Sequence, residues 1–366
     1  MNDFILNIFS TLSLFEVIGY FLSLILLNFL FIKFWKLTKQ ATYPYAGDQV
    51  IHKGSISPLG GLSIYVWSFS VLILINYSFN SSDFINRYIE IFYLSIPMML
   101  VFLFEDLVHD INVKFRLIVL FSTAIYALFF WVNAFPVIEL LPVDLLFESK
   151  IFTFIFFSFC LVGLMNGANF IDGMNGLAGF YFLGAIIICL YLCSFLGLMY
   201  DAIPLIVLGI GIFGFLLFNF PYGKIFLGDS GAYFISLFLG LWLINFLETN
   251  TQISSWCAVL IFFYPATEVI YSFTRKVYRG RSPFYPDVYH LHRKIFDIVY
   301  LYTRNYIFSN ISSTSVLIIF WLFPSLFIPF FYDNSQVILV IFIFFLLLYF
   351  LLNIATSFLI KNLTRK

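Results

Sequence analysis

Eleven stretches of this chain run for about twenty residues with almost no charge, the length a helix needs to cross the hydrocarbon core of a bilayer. They fall near residues 13–35, 60–77, 86–104, 115–135, 151–168, 178–199, 202–220, 231–248, 254–273, 314–332 and 336–360. A backbone in lipid has no water to bond, so runs of this length fold as helices. Hydrophobic residues make up 62% of the chain and charged residues 10%, against roughly 45–50% and roughly 25% in a soluble domain, which excludes a water-soluble globule. The expected fold is an all-α polytopic integral membrane protein, read as a single transmembrane domain over 1–366. The long connections are 36–59, 136–150 and 274–313. The opening carries Asp3 and Glu16 and lacks the basic stretch and small-residue cleavage site of a secretion signal, so it is read as mature protein.

Lys and Arg accumulate in loops on the cytoplasmic side. Seventeen of the nineteen, including Lys33, Lys53, Lys114, Arg275, Arg293 and Lys366, fall after odd-numbered runs; only Arg87 and Lys150 fall on the other side. This predicts an N-terminus outside and a C-terminus in the cytoplasm. Nineteen acidic residues cancel the nineteen basic ones, which argues against a nucleic-acid partner. Cys160, Cys189, Cys193 and Cys257 sit in apolar runs and read as small hydrophobes.

The unusual polar segments all land on the basic side. Glu105-Asp106 closes the third run, Asn166 through Asn175 closes the fifth, Gly228-Asp229-Ser230-Gly231 opens the eighth, and Asp287, His290 and His292 follow the ninth. The outer acids Asp83, Asp144, Glu148, Asp201 and Asp333 lack such grouping and read as solvated loop charges. Converging carboxylates repel one another and take up protons unless a cation lies between them. Magnesium, with manganese as the alternative, is the natural ion, because it accepts one or two carboxylates and completes its shell with phosphate and water. Nearby His, Lys and Arg would then face a polyanionic ligand.

Asn166, Asn169 and Asp172 recur every three residues and share one helix face, while Gly173 and Gly176 let backbone approach closely. A plain polar loop is the bland alternative. Asp229 opens a helix where free N–H groups favour anions, and could simply cap it. Glu105 and Asp106 point about 100° apart on a helix, so one of them, expected to be Asp106, aims into a cleft. Lys114 and Arg116 suit phosphate contacts or positive-inside anchors equally. His290 and His292 are two apart, a spacing that suits a loop, and a zinc site is disfavoured for want of a third ligand. His52-Lys53 and Pro58-Leu59-Gly60-Gly61 precede the second run and contribute either a binding turn or a helix start.

Taken together, Pro58-Leu59-Gly60-Gly61, Glu105-Asp106 with Val113-Lys114-Phe115-Arg116, Asn169-Phe-Ile-Asp172-Gly173-Met-Asn175-Gly176, Phe226-Leu-Gly228-Asp229-Ser-Gly231 and Asp287-Val-Tyr-His290-Leu-His292 resemble the polyprenyl-phosphate N-acetylhexosamine-1-phosphate transferases of glycosyltransferase family 4. The segments stand in the family's order over a core of 52–296, with a cytoplasmic histidine loop at 274–313. The resemblance implies a bacterial plasma-membrane enzyme that moves a sugar-1-phosphate from a UDP-amino sugar to polyprenyl phosphate and releases UMP, with magnesium required and a homodimer allowed. Carried over by position, Asp106, Asp172 and Glu105 are the expected catalytic acids, Asp229 and Asp172 the metal ligands, and Asn169, Lys114, His290, His292, Lys53 and Asn175 the substrate contacts. The lipid phosphate either attacks directly or follows a covalent phospho-enzyme at Asp172; direct attack is expected, since a phosphate oxygen is already a competent nucleophile. Many members carry Asp-Asp where this chain has Glu105-Asp106, an acid where it has Asn175, and a further His where it has Arg293, departures that fit the O-antigen-initiating branch better than the muramoyl-pentapeptide one.

The rival class is a secondary transporter or lipid-linked-sugar flippase, which also breaks helices around polar sites. Glu16 and Glu268 are the only acids deep in apolar runs, and no second half repeats the Asn-Asp-Gly segment.

Overall fold

In a computed structural model the described residues, 14–38, 56–78, 83–108, 111–140, 143–282 and 289–363, are overwhelmingly helical. The helices are α1 (Leu14–Thr38), α2 (Gly60–Ser78), α3 (Asp83–Val108), α4 (Val113–Trp131), the short α5 (Val143–Leu146), α6 (Lys150–Ile171), α7 (Leu177–Phe195), α8 (Met199–Asn219) and α9 (Gly228–Thr249). There follow α10 (Cys257–Ile261), α11 (Phe263–Tyr278), α12 (Leu291–Thr303), α13 (Tyr306–Leu322), a 3-10 turn (Phe323–Phe327) leading to α14 (Ile328–Phe331), and α15 (Ser335–Leu363). Ten helical segments among the described residues are long and apolar enough to cross a membrane.

The ninth run, expected as one helix over 254–273, is two helices. Pro265 explains the break: it has no N–H to give to Ile261 and its ring crowds that carbonyl, so α10 stops at Ile261 and α11 begins at Phe263. Backbone groups freed within lipid need partners. The fully buried Tyr181 hydroxyl supplies them, donating to the Ile261 carbonyl at 2.9 Å and accepting the Tyr264 N–H at 3.1 Å. Tyr181→Phe leaves both groups unmet, and a buried polar group stripped of its partner costs about 1–3 kcal/mol. The expected outcome is a clear fall in melting temperature in detergent; an unchanged midpoint would show that the hydroxyl does not seal the break.

Two further expectations change. The segment 274–313, read as a loop, contains the end of α11, the whole of α12 and the start of α13. Its apolar residues explain this, because Leu291 and Phe296 lie buried on one side of α12 while Arg293 and Asp297 pair on its surface at 3.0 Å. Asp201 is not simply a solvated loop charge, for it accepts a hydrogen bond from the buried Tyr88 hydroxyl at 3.1 Å.

The chain clusters into two compact units, residues 1–110 with 182–235, and residues 111–181 with 236–366. In the first, Tyr65 packs between Phe92 and Phe234 at centroid distances of 5.2 and 4.7 Å, and its hydroxyl donates to the Phe92 carbonyl at 2.7 Å. In the second, a Cβ on Gly167 would run into the backbone of Pro265, so α6 lies directly against α11. The buried Lys294 of α12 donates to the Asn353 carbonyl and Oδ1 at 3.2 and 3.0 Å, fastening that helix to α15. Burial pushes the Lys294 ammonium down to about 8, with Arg275 adding to the effect.

Candidate active site

Two acidic motifs meet in the first unit, at the start of α9. The approach is set by backbone: the Gly60 and Gly61 N–H groups donate to the Phe226 and Leu227 carbonyls at 2.9 and 2.8 Å, and the Phe226 N–H donates to Ser57 at 2.8 Å. This accounts for Pro58-Leu59-Gly60-Gly61 as a docking strip for the turn before α9. At that turn Gly228 adopts φ +77°, and a Cβ there would lie 2.6 Å from Asp106 Oδ2 and from the Pro58 carbonyl.

Asp106 is only 4% exposed. Its Oδ1 accepts the Asp229 N–H at 2.8 Å, and its Oδ2 accepts the Ser230 N–H at 3.1 Å and the Ser230 hydroxyl at 2.6 Å. The first N–H groups of a helix have no partner within it and carry the positive end of its dipole. Asp106, at the end of α3, thus caps α9 from another helix. Expected to aim into a cleft, it instead turns both oxygens into the helix end. Glu105 beside it is buried as well, and Asp229 is the partly exposed carboxylate. The donors here are all oxygens, as magnesium prefers, and that ion takes few protein ligands. Among the described residues no three His, Cys, Asp or Glu side chains gather as a ready-made metal cage.

The second unit holds the amide and histidine motifs. Asn166 Nδ2 donates to its own helix at Val162, 2.9 Å away, which spends that amide locally. Asn169 lies in the last turn of α6 and Asp172 is the residue that ends it, its N–H donating to the Asn169 carbonyl at 3.2 Å; both side chains are partly exposed. Asn175 is 1% exposed, and its carbonyl accepts Asn310 Nδ2 and Thr314 Oγ1 at 3.2 and 3.1 Å. Through this backbone carbonyl Asn175 ties the Asp172 turn to α13.

His290 is the residue preceding α12, with extended backbone, and His292 sits in the first turn. A spacing of two therefore straddles a helix start and does not mark a loop. The imidazoles are parallel at 5.5 Å, and Phe170 of α6 packs on His290 at 4.9 Å. His292 Nε2 abuts Gly173, where a Cβ would collide with it, and its Nδ1 lies 3.5 Å from the Tyr264 hydroxyl. Burial, with His290 adding to it, pushes the His292 imidazole down to about 3, so this ring is uncharged at neutral pH and does not provide the positive group expected of it. Glu268 of α11, fully buried, binds His290 Nδ1 at 2.9 Å and the Leu291 N–H at 3.2 Å. The sequence shows Glu268 only as an acid in an apolar run, and that oddity was its signal. Lys114 is exposed at the start of α4. Lys53, His52 and Asp287 lie outside the described residues.

The family model described as "Glycosyl transferase family 4" matches residues 88–247, which include Glu105, Asp106, Asn169, Asp172 and Asp229. The chain is 29% identical over 241 residues to an undecaprenyl-phosphate alpha-N-acetylglucosaminyl 1-phosphate transferase of Thermotoga maritima, covering 66% of this chain and 68% of that protein. It is 32% identical over 163 residues to a decaprenyl-phosphate N-acetylglucosaminephosphotransferase of Mycolicibacterium smegmatis, spanning 39% of this chain and 40% of that relative. A phospho-N-acetylmuramoyl-pentapeptide-transferase of Leuconostoc mesenteroides is 38% identical over 104 residues, 28% of this chain and 32% of its own length. The acidic and amide motifs lie inside the region over which the chain is similar to glycosyl transferase family 4 and to these polyprenyl-phosphate N-acetylglucosamine-1-phosphate transferases.

Proposed function

We propose that this protein transfers N-acetylglucosamine-1-phosphate, or that of a close N-acetylhexosamine, from its UDP-sugar to undecaprenyl or another polyprenyl phosphate, releasing UMP and beginning a cell-envelope polysaccharide. The observation that carries the reading is where the chemistry sits. Asp106 lies near the end of α3, Asp172 ends α6, Asp229 opens α9 and His290 precedes α12, so each stands at a helix terminus. A transporter holds its binding groups on broken helices near mid-membrane. At the broken helix here the Tyr181 hydroxyl takes up the Ile261 carbonyl and the Tyr264 N–H, so these two groups of the break are not turned to a ligand. An enzyme joining a water-soluble nucleotide sugar to a lipid phosphate needs its groups at the membrane's edge, here the cytoplasmic edge of a bacterial plasma membrane.

In the reaction a lipid phosphate oxygen forms a bond to the sugar-bearing phosphorus, and the bond from that phosphorus to the oxygen of UMP breaks. Both reactants are anions, so their charge must be neutralised as they approach. Magnesium, when bound, supplies that neutralisation. Asp229 would hold it, while Asp106 fixes the backbone on which Asp229 stands. Within the second unit, Asn169 and Asp172 present an amide and a carboxylate from one turn, and His290 offers a ring N–H to a phosphate oxygen. A cavity of about 460 Å³ in the second unit, lined by Phe156, Cys160, Gly163, Leu243, Val259 and Ile270 among others, is almost wholly apolar and suits an isoprenoid chain.

The test uses the purified full chain in detergent with undecaprenyl phosphate, magnesium and a panel of UDP-amino sugars, following UMP. UMP release that needs both substrates and stops with a chelator is expected, UDP-N-acetylglucosamine being the best donor. No release with any donor would end the proposal.

A further inference from the structure

The carboxylate of Glu268 is fully buried, yet both oxygens are engaged: Oε2 meets His290 Nδ1 at 2.9 Å and Oε1 accepts the Leu291 N–H at 3.2 Å. An ionised carboxylate has only acceptors to offer, so His290 Nδ1 carries a proton toward it. The remaining nitrogen, Nε2, lies on the opposite edge of the ring. That side chain keeps 11% of its surface exposed, while Glu268 has none. Stability alone does not call for such a pair, because replacing a buried charged pair with packed apolar groups is often neutral or stabilising. The contacts around the ring restrict it further. Phe170, between Asn169 and Asp172, covers it at 4.9 Å, and His292 stacks on it at 5.5 Å while wedged against Gly173.

We propose that Glu268 is the positioning residue of this site: it holds the His290 Nδ1–H and so orients the ring with its Nε2–H toward a phosphate oxygen of the nucleotide sugar, and it pins the first N–H of α12 in the same stroke. It touches no substrate and acts through His290. A carboxylate behind an imidazole sets which ring nitrogen is protonated and how the ring is held. Glu268→Gln removes the charge behind the ring: the amide NH₂ facing Nδ1 demands an acceptor there, so the imidazole no longer carries a proton on both nitrogens and its bond to the phosphate oxygen loses its charge assistance, while the amide oxygen can still cap Leu291. This inference rests on the transferase reading above.

The experiment is a double-mutant cycle on the purified full chain with UDP-N-acetylglucosamine and undecaprenyl phosphate, with melting temperature measured in parallel. Glu268→Gln is expected to lower kcat/KM for the UDP-sugar by about 10–100-fold, as loss of an orienting partner does, with KM for undecaprenyl phosphate and the melting temperature unchanged. In the His290→Ala background the same change is expected to cost less than about twofold, since residues acting as one unit are not additive. Activity of Glu268→Gln within about threefold of the native protein, or losses that multiply in the double variant, would overturn the assignment. Should the Gln variant unfold, Glu268→Asp is read in the same cycle: a loss that vanishes without His290 sustains the proposal, and one that multiplies overturns it. If the native protein releases UMP, Asp229→Asn abolishes it and Glu268→Gln does not lower it, this inference alone fails. If the native protein releases none, the transferase reading fails and takes the inference with it.

Discussion

Asp229→Asn is expected to reduce magnesium-dependent UMP release by about 100- to 1,000-fold, the scale of losing one preorganised electrostatic group at a developing charge, while leaving membrane insertion and melting temperature near native. The expectation follows from how the two acids at α9 divide the work. Asp106 spends its oxygens on the Asp229 and Ser230 N–H groups and the Ser230 hydroxyl. The positive end of the helix is thereby satisfied, and Asp229 is not needed as its cap. Asparagine keeps the shape of Asp229 and removes the charge a cation requires. Asp106→Asn should behave differently: its NH₂ must face at least one of those donors, a mismatch worth about 1–3 kcal/mol, so stability and activity fall together. UMP release and melting temperature on both variants separate the two roles. Activity of Asp229→Asn within about tenfold of native would remove it as the metal-holding group, since a lost electrostatic group costs more.

This division of labour was only half legible in the sequence. The apolar runs gave the helices because membrane length and absence of charge are local properties. The motifs gave the neighbourhoods, since an acid beside glycines at a helix end is also local. Pairing was not local. Asp106 and Asp229 are 123 residues apart, and a capping acid was expected within α9 itself, where the cap arrives from α3. Glu268 stands 22 residues before His290, and only the fold of α11 against α12 brings the two together. The backbone carbonyl of Asn175 anchors its turn through Asn310 and Thr314, 135 and 139 residues away, a pairing no local pattern shows. The histidine spacing misled because the residue before a helix has extended backbone, so a separation of two does not imply a loop.

Gly61→Ala is expected to destabilise the first unit by about 3 kcal/mol or more, at the upper end of overpacking costs, and to abolish UMP release with it. The reason is that Gly61 meets backbone and not a flexible side chain. A Cβ there would collide with Gly231 Cα and N, and it would lie 2.6 Å from the Leu227 carbonyl. A leucine tip could rotate away; a helix axis cannot without moving its neighbours. Pushing α9 off α2 would stretch the Gly60 and Gly61 bonds to Phe226 and Leu227, and it would shift Gly228 from the place where Asp106 reaches the Asp229 and Ser230 amides. Packing and chemistry are therefore lost in one event. Gly19→Ala is the control: nothing lies within 4 Å of a Cβ on Gly19, which is in the same unit. Alanine there should be neutral or stabilising by up to about 1 kcal/mol, the helix-propensity difference. Melting temperature and the fraction of monodisperse protein in detergent check both variants, and a Gly61→Ala protein as stable as Gly19→Ala would show that α2 and α9 do not approach through their backbones.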